Sequence, residues 1–128
     1  SPEHPDEVLY DEGFECVLWR DSALAQGEFG FDRYTAAAHV VMQPAGTTGE
    51  TFEGWFIRRY GISRRVTVKT YGFAMLPALV VGTEYVATVH ARLARAFASC
   101  WPLALRELPF PAEPMQQSMQ WHKYRTQD

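Results

Sequence analysis

Apolar and polar positions change their spacing several times along the chain, and each change predicts a new element. Short apolar runs bounded by polar, glycine or proline residues are typical of buried strands. Strict alternation, as at Val66 and Val68 between polar neighbours, predicts a half-exposed strand. The predicted strands are residues 15–20, 39–42, 65–70 and 85–90, an alternation through Leu103, Leu105 and Leu108, and residues 115–124.

Apolar residues at three- and four-residue spacings predict helices between these strands. Residues 50–60 place large aromatic side chains on one helical face. Thr47 or Thr48 is the candidate N-cap of that helix, and Gly61 suits its C-cap. The other predicted helices are a short one starting at Phe31, residues 73–81 with Pro77 in the first turn and Gly82 at the end, and residues 91–98.

Strands that alternate with helices predict an α/β fold with helices on both faces of one sheet. The expected architecture is a Rossmann-like sheet, parallel or mixed. The chain has 128 residues, 47% of them hydrophobic, which is enough for one domain with a real core.

The charge of the chain argues against a general attraction for nucleic acid. Its net charge is −3 and its pI is about 5.8, so binding to phosphate backbones would need a local basic patch. Four arginines lie close together at positions 58, 59, 64 and 65. We interpret them as the solvated end of a helix, where cations meet the negative end of the helix dipole, in preference to a nucleic-acid patch.

Cysteine usage and hydropathy indicate the cellular compartment in which the protein resides. Cys16 and Cys100 each have apolar neighbours, which predicts two buried free thiols in a reducing environment and therefore a cytoplasmic protein. The longest uncharged run, residues 70–83, is too short to cross a bilayer, so no membrane partner is expected.

No catalytic or metal chemistry is predicted. His39 and His90 border predicted strands, and neither has ligand residues at the spacings of a local zinc site. The sequence also lacks a nucleophile elbow, a phosphate-binding loop and a dinucleotide fingerprint. We therefore expect no catalytic residue, no metal and no cofactor.

Strand ends are the better place to look for binding. In parallel α/β sheets, ligands bind outside the carboxyl ends of the strands, where the following helices present free N–H groups. The residues at those ends mix aromatic surface with a few polar groups, as a small-molecule pocket requires. The candidates are Gln43, Pro44, Ala45, Tyr71, Gly72, Phe73, Thr88 and His90. Packing of the sheet edge is an equally weighted interpretation of Tyr71, Phe73 and His90.

Five segments occur in a characteristic order: SPEHPDEVLYDEGFECVLWRD, FDRYTAAAHVVM, FEGWFIRRYGISRRVTV, FAMLPALVVGTEYVATVHARLA and LPFPAEPMQQSMQWHKYR. Together they resemble the effector-binding region of LysR-type transcriptional regulators, in the branch of nodulation and aromatic-catabolism regulators. The resemblance covers nearly the whole chain, and its most specific parts are residues 66–90 and 119–122.

The resemblance implies a periplasmic-binding-protein type II fold, in which two lobes close on a small inducer. The chain would be a single effector-binding fragment, with the second lobe at about residues 20–108. Residues 1–19 and 109–128 would be hinge and return segments. The implied hinge residues are Trp19, Arg20, Leu108 and Pro109, near crossings at 16–20 and 105–109.

The implied partners are a small effector, further copies of the chain and, through a separate segment, DNA. The winged helix-turn-helix, the linker helix and the opening strands of the first lobe are absent, so we expect the chain to be a piece of a longer protein. The candidate subunit contact is the helix from Phe52 to Tyr60, through Phe52, Trp55, Phe56 and Arg59.

The end of the fourth predicted strand departs from many relatives, which have an aliphatic run closing with proline. Here the residues are Ala87, Thr88, Val89 and His90, which place polar groups where the inducer would lie. With Tyr71, Phe73 and Trp19 nearby, this favours an aromatic or carboxylated aromatic effector. Three alternatives stay open: a transport-type solute-binding lobe, a small α/β enzyme using His90 or His39, and an interaction fragment without a ligand.

Overall fold

The computed structural model describes residues 13–42 and 51–112. Strands and helices alternate through this part of the chain, as the sequence predicts. The strands are β1 (Phe14–Trp19), β2 (Ala38–Met42), β3 (Arg65–Thr70), β4 (Tyr85–His90) and β5 (Leu103–Glu107). The helices are α1 (Phe31–Ala36), α2 (Phe52–Tyr60), α3 (Leu76–Val80) and α4 (Ala91–Ala98), with a 3₁₀ turn at Ala23–Ala25.

The strands form one mixed sheet in the order β3-β2-β4-β1-β5. Its core is parallel, because β2 runs parallel to both β3 and β4. β1 is antiparallel to both of its neighbours, β4 and β5. The prediction of a parallel or mixed α/β sheet is therefore confirmed.

Helices cover both faces of the sheet, and the two faces have different chemistry. The aromatic face packs against α1 and α2 and buries Cys16, Leu18, Tyr34 and Phe56. The aliphatic face packs against α3 and α4; it buries Val17, Val40, Leu76, Val80, Ala87 and Ala94. Alternating side chains of β1 supply both cores, because successive residues of a strand point to opposite faces.

Several predicted boundaries agree with the structure. β3, β4 and α4 have the predicted bounds 65–70, 85–90 and 91–98. Gly61 caps α2 in the left-handed conformation, with φ of 72°. The predicted N-cap of α2 is wrong: Thr51 caps the helix by accepting a hydrogen bond from the Gly54 N–H at 3.0 Å. Thr47 and Thr48 lie outside the described residues.

α3 is shorter than the predicted span of 73–81. It begins at Leu76, which leaves Pro77 in the first turn as predicted. A helix starting at Phe73 would place the Pro77 ring against the carbonyl four residues earlier, which is the clash that breaks helices at proline. Residues 71–75 therefore form a loop, with the Leu76 N–H donating to the Phe73 carbonyl at 3.1 Å.

The two cysteines have different surroundings. Cys16 is buried and free, as predicted, but Cys100 is exposed, so the prediction that both are buried is wrong. The apolar neighbours Phe97 and Ala98 pack against the aliphatic core at the end of α4, and Cys100 follows in the turn beyond them. The strand predicted over 115–124 lies outside the described residues.

Candidate functional site

Strand ends converge at one edge of the sheet, which we call the carboxyl edge: the ends of β2, β3, β4 and β5 and the start of β1. Met42 lies beside Thr70 there, because β2 and β3 are parallel. The antiparallel strand β1 places Phe14 opposite His90. Because α/β folds bind ligands outside this edge, it is the candidate site.

An exposed aromatic loop follows β3 at the carboxyl edge. Tyr71 is 75% exposed, Phe73 49% and Met75 56%. The Thr70 hydroxyl donates to the Gly72 carbonyl at 3.3 Å and holds the loop against the strand end. The structure thus brings the predicted residues Tyr71, Gly72 and Phe73 together on a surface that can stack against a ring.

His90 connects β4 to α4 at the same edge. Its Nδ1 accepts a hydrogen bond from the Arg92 N–H at 3.4 Å, so the imidazole caps α4. The ring of Phe14 meets it edge-on, with 5.7 Å between centroids. The Ala91 N–H donates to the Gly13 carbonyl at 2.9 Å and ties the helix start to the start of β1.

Thr88, another predicted effector residue, does not face the carboxyl edge. Its hydroxyl lies on the aromatic face, 2.7 Å from the Tyr34 hydroxyl and 3.3 Å from Nη1 of Arg64. It is engaged inside the fold and separated from the exposed loop. Three further candidates, Gln43, Pro44 and Ala45, lie outside the described residues.

The predicted hinge residues lie at opposite edges of the sheet. Trp19 ends β1 opposite Leu103, and the Arg20 N–H donates to the Pro102 carbonyl at 2.9 Å. Leu108 and Pro109 follow β5 at the carboxyl edge, because β5 runs antiparallel to β1. Trp19 is therefore at the far end of β1 from His90 and does not join the aromatic loop.

The predicted subunit contact on α2 is mostly interior. Trp55 and Phe56 are 2% and 0% exposed, and Phe52 is half-buried. The Phe56 ring packs against Tyr60 and Phe110 at centroid distances of 4.9 and 5.5 Å. The apolar face of α2 serves the core of its own domain, so Trp55 and Phe56 are not available to a second copy.

Arg59 is exposed, as predicted, with its guanidinium over the Tyr60 ring.

A buried arginine centre lies beneath α2, and its role was missed in the sequence. Arg64 is only 6% exposed, which corrects its assignment to a solvated helix end. Its Nε and Nη2 donate to the Glu53 carboxylate. Its Nη1 donates to the Tyr34 hydroxyl at 2.8 Å and lies 3.2 Å from Nδ1 of His39 and 3.3 Å from the Thr88 hydroxyl.

The sequence contained one indication of this centre. Gly61 reverses the chain after α2, so that Arg64 returns towards the first turn of the helix, where Glu53 lies. The reversal alone does not say which of the four arginines points inward. Arg58, Arg59 and Arg65 are exposed, as the interpretation of a solvated helix end requires.

His39 is a neutral structural histidine. Its Nε2 lies 2.7 Å from the Tyr34 carbonyl, which can only accept, so Nε2 carries the proton. Nδ1 then accepts from Arg64, which can only donate. Burial, followed by the charge of Arg64, lowers the pKa of His39 from 6.5 to about 4.

Cys16 and Tyr34, which lie on the same aromatic face, are also held uncharged. Burial raises the pKa of the Cys16 thiol to about 12, which makes it a poor nucleophile at neutral pH. Burial likewise raises the pKa of Tyr34. The centre therefore contains one paired cation in a neutral hydrogen-bonded shell, an arrangement suited to fixing structure and not to proton transfer.

The lowered pKa of His39 predicts acid sensitivity. The unfolded chain binds a proton at His39 below pH 6.5, whereas the folded chain does so only near pH 4. The free energy of unfolding should therefore fall by roughly 3 kcal/mol between these pH values, apart from contributions of other groups. Urea unfolding across this range, compared with His39→Gln, isolates the effect. Identical pH slopes in the two proteins would contradict it.

The opposite edge of the sheet holds an open cavity of about 340 Å³. Its lining includes the starts of β2, β3 and β4 and the side chains of Arg33, Arg65 and Glu84. These groups are bonded within the chain: Arg33 to backbone carbonyls, Arg65 to the Ala36 carbonyl and Glu84 to Ser22. The charged side chains of the lining are thus used, at least in part, for contacts within the chain.

Within residues 13–42 and 51–112, no group of three or more histidine, cysteine or acidic side chains is arranged to hold a metal ion. The same part of the chain contains no helix that is long and apolar enough to span a membrane.

Comparison with known proteins identifies the relatives of this chain. No family model matches it. It is 35% identical over 125 residues to nodulation protein D 2 of Rhizobium tropici, which is 98% of this chain and 40% of that protein. It is 37% identical to nodulation protein D 1 of Sinorhizobium fredii, over 94% of this chain and 38% of that protein. The chain is homologous to the LysR-type nodulation regulators.

Solved structures agree with this homology to the LysR-type regulators. A probable transcriptional regulator from Pseudomonas aeruginosa superposes with a TM-score of 0.69 and 26% identity, covering 78% of this chain and 33% of that one. The regulatory domain of MexT, a transcriptional activator in Pseudomonas aeruginosa, superposes with a TM-score of 0.63. At 22% identity, over 90% of this chain and 60% of that one, MexT supports the fold alone.

The chain has the fold of a LysR regulatory-domain lobe, and its homologues are transcription regulators. It spans about 40% of the length of the curated relatives that it matches.

Proposed function

We propose that this chain is the second lobe of the sensing region of a LysR-type transcription regulator and binds a small aromatic or carboxylated aromatic effector at the carboxyl edge. The exposed loop of Tyr71 and Phe73 carries this proposal, because it lies beside strand ends where α/β folds bind ligands. Exposed rings stack on an aromatic effector, and His90 lies at the same edge of the sheet.

The proposed mechanism is a population shift. An effector held between this lobe and a first lobe favours the closed arrangement, and the parent protein transmits that preference to its DNA-binding domain. In this proposal the parent acts in the cytoplasm as a homo-oligomer and contacts DNA through a winged helix-turn-helix outside this chain. Support comes from the homology to nodulation regulators.

Strand directions support a revised position for the hinge. Both crossings to a first lobe need to leave from the same edge of this one. Phe14 begins β1 at the carboxyl edge, directly after Gly13, and Leu108 follows β5 there. We therefore place the crossings at these residues and not at Trp19 and Arg20. The lobe boundaries then become about residues 14–107.

Effector binding can be tested with the chain itself. We expect salicylate or flavone to raise the melting temperature saturably, because a ligand that binds only the native state stabilises it. The stabilisation is about 3 kcal/mol at a free ligand concentration of a hundred times the Kd. Tyr71→Ala and Phe73→Ala should abolish the rise.

The matched control is Trp101→Ala, which removes an exposed aromatic side chain, 39% accessible, near the opposite edge. This variant should respond to the ligand as the unaltered chain does. Equal responses in the Tyr71→Ala and Trp101→Ala variants would contradict binding at the carboxyl edge. No response at millimolar ligand would contradict binding by this lobe alone and favour an interaction fragment without its own ligand.

A further inference from the structure

Arg64 joins two elements that are far apart in the chain. It precedes β3, yet its guanidinium reaches both α2 and β4. Nε and Nη2 hold Glu53, in the first turn of α2. Nη1 reaches the Thr88 hydroxyl on β4 and the Tyr34 hydroxyl on α1. One rigid planar group therefore has contacts with α2 at one end and with the sheet at the other.

The surroundings leave this group little freedom. Its side chain is 1% exposed, and its Cζ lies 4.0 Å from the centre of the Phe52 ring. A buried guanidinium needs its hydrogen-bond partners to offset desolvation, so losing the partner at one end favours a shift of the whole plane. Contacts at the other end then change as well, because members of a buried polar network are not energetically independent.

Thr88 links this network to the carboxyl edge. It lies on β4 two positions before His90, the residue at the edge that caps α4. Its hydroxyl also contacts the Tyr34 hydroxyl at 2.7 Å, so a displacement of β4 reaches Arg64 by two hydrogen-bonded routes. Glu53 lies on the other side of Arg64, on a helix whose outer face carries the exposed Ile57.

We propose that Arg64 is a positioning residue that couples the carboxyl end of β4 to α2. A change in the position of Thr88 and His90 alters the hold of Arg64 on Glu53, and a change at α2 alters β4 in return, because such coupling is reciprocal. The use of this coupling to report an effector rests on the proposed function of the carboxyl edge. The coupling itself does not.

The test is a double-mutant cycle in the chain without ligand, with Thr88→Val and Glu53→Gln. Thr88 and Glu53 bond to different nitrogens of Arg64, so the guanidinium joins these two side chains by direct hydrogen bonds. We expect the double variant to shift the urea midpoint by clearly less than the sum of the single shifts. Strict additivity would overturn the proposal.

The matched control pairs Thr67→Val with Glu53→Gln. Thr67 is an exposed threonine on β3, so its shift should add to that of Glu53→Gln within error. Equal non-additivity in this pair would also overturn the proposal, because the effect would then not depend on Arg64.

A second measurement separates positioning from simple stabilisation. Glu53→Gln should shift the backbone amide resonances of Val89, His90 and Ala91, and Thr88→Val should shift those of α2. Thr67→Val should leave both sets in place. Failure of these reciprocal shifts overturns the proposal even if every variant is destabilised. Coupling without any response to salicylate or flavone would support this inference while contradicting the proposed function.

Discussion

Replacing Phe56 with alanine is expected to lower the free energy of unfolding by about 4 kcal/mol. Phe56 is 0% exposed and lies at the centre of the aromatic face, within 6.2 Å, centroid to centroid, of Phe31, Tyr34, Phe52, Tyr60 and Phe110. Truncation removes these contacts and leaves a cavity that the packed neighbours fill only in part. Urea unfolding monitored by circular dichroism measures the loss.

The same substitution distinguishes a core residue from a subunit contact. Ile57 is the next residue of α2, is 48% exposed and provides the matched control. Ile57→Ala should change stability by less than about 0.5 kcal/mol. If Phe56→Ala instead altered sedimentation without loss of stability, the original prediction of an intersubunit role for Phe56 would be restored.

Replacing Arg64 with methionine is expected to cost about 3 kcal/mol of stability. Methionine retains much of the aliphatic stem but donates no hydrogen bond. The Tyr34 hydroxyl, Nδ1 of His39 and the Thr88 hydroxyl then lose a donor inside the fold, and Glu53 loses its counter-ion. The midpoint and slope of urea unfolding would show the change, with the slope reporting any loss of compactness.

Arg58→Met is the matched control, because Arg58 is an exposed arginine near the end of α2. Its effect should stay within about 0.5 kcal/mol. Comparable losses in the two variants would mean that Arg64 contributes no more than a surface cation, and the buried centre would not be a determinant of stability.

Sequence reasoning succeeded where a signal is carried by neighbouring residues. The alternation of Val66 and Val68 predicted the bounds of β3 because a strand repeats every two residues. Gly61 predicted the end of α2 because a left-handed cap favours a residue without a side chain. Tyr71 and Phe73 follow β3 directly, as the sequence indicated, and their role in binding stays a prediction.

Sequence reasoning failed where a role depends on contacts between distant residues. Nothing local distinguishes Arg64 from Arg65, yet the first is buried against Glu53 and the second is exposed. Thr88 was placed in the site by its position on β4, but the pleat of the strand turns it towards Tyr34. The aromatic side of α2 was assigned to a subunit contact. The spacing of its aromatic residues predicts a buried helix side but does not show which residues cover it.

The local pattern of this chain determines its elements and fold class, because propensity and period act over a few residues. Its order of segments also determined the resemblance to LysR-type regulators, which the homology confirmed. Only the tertiary structure decided that β1 runs antiparallel, which separates Trp19 from Leu108, and that Arg64 lies inside. Strand order and the pairing of a buried charge are decided by long-range packing. Both depend on contacts and hydrogen bonds between residues that are far apart in the sequence.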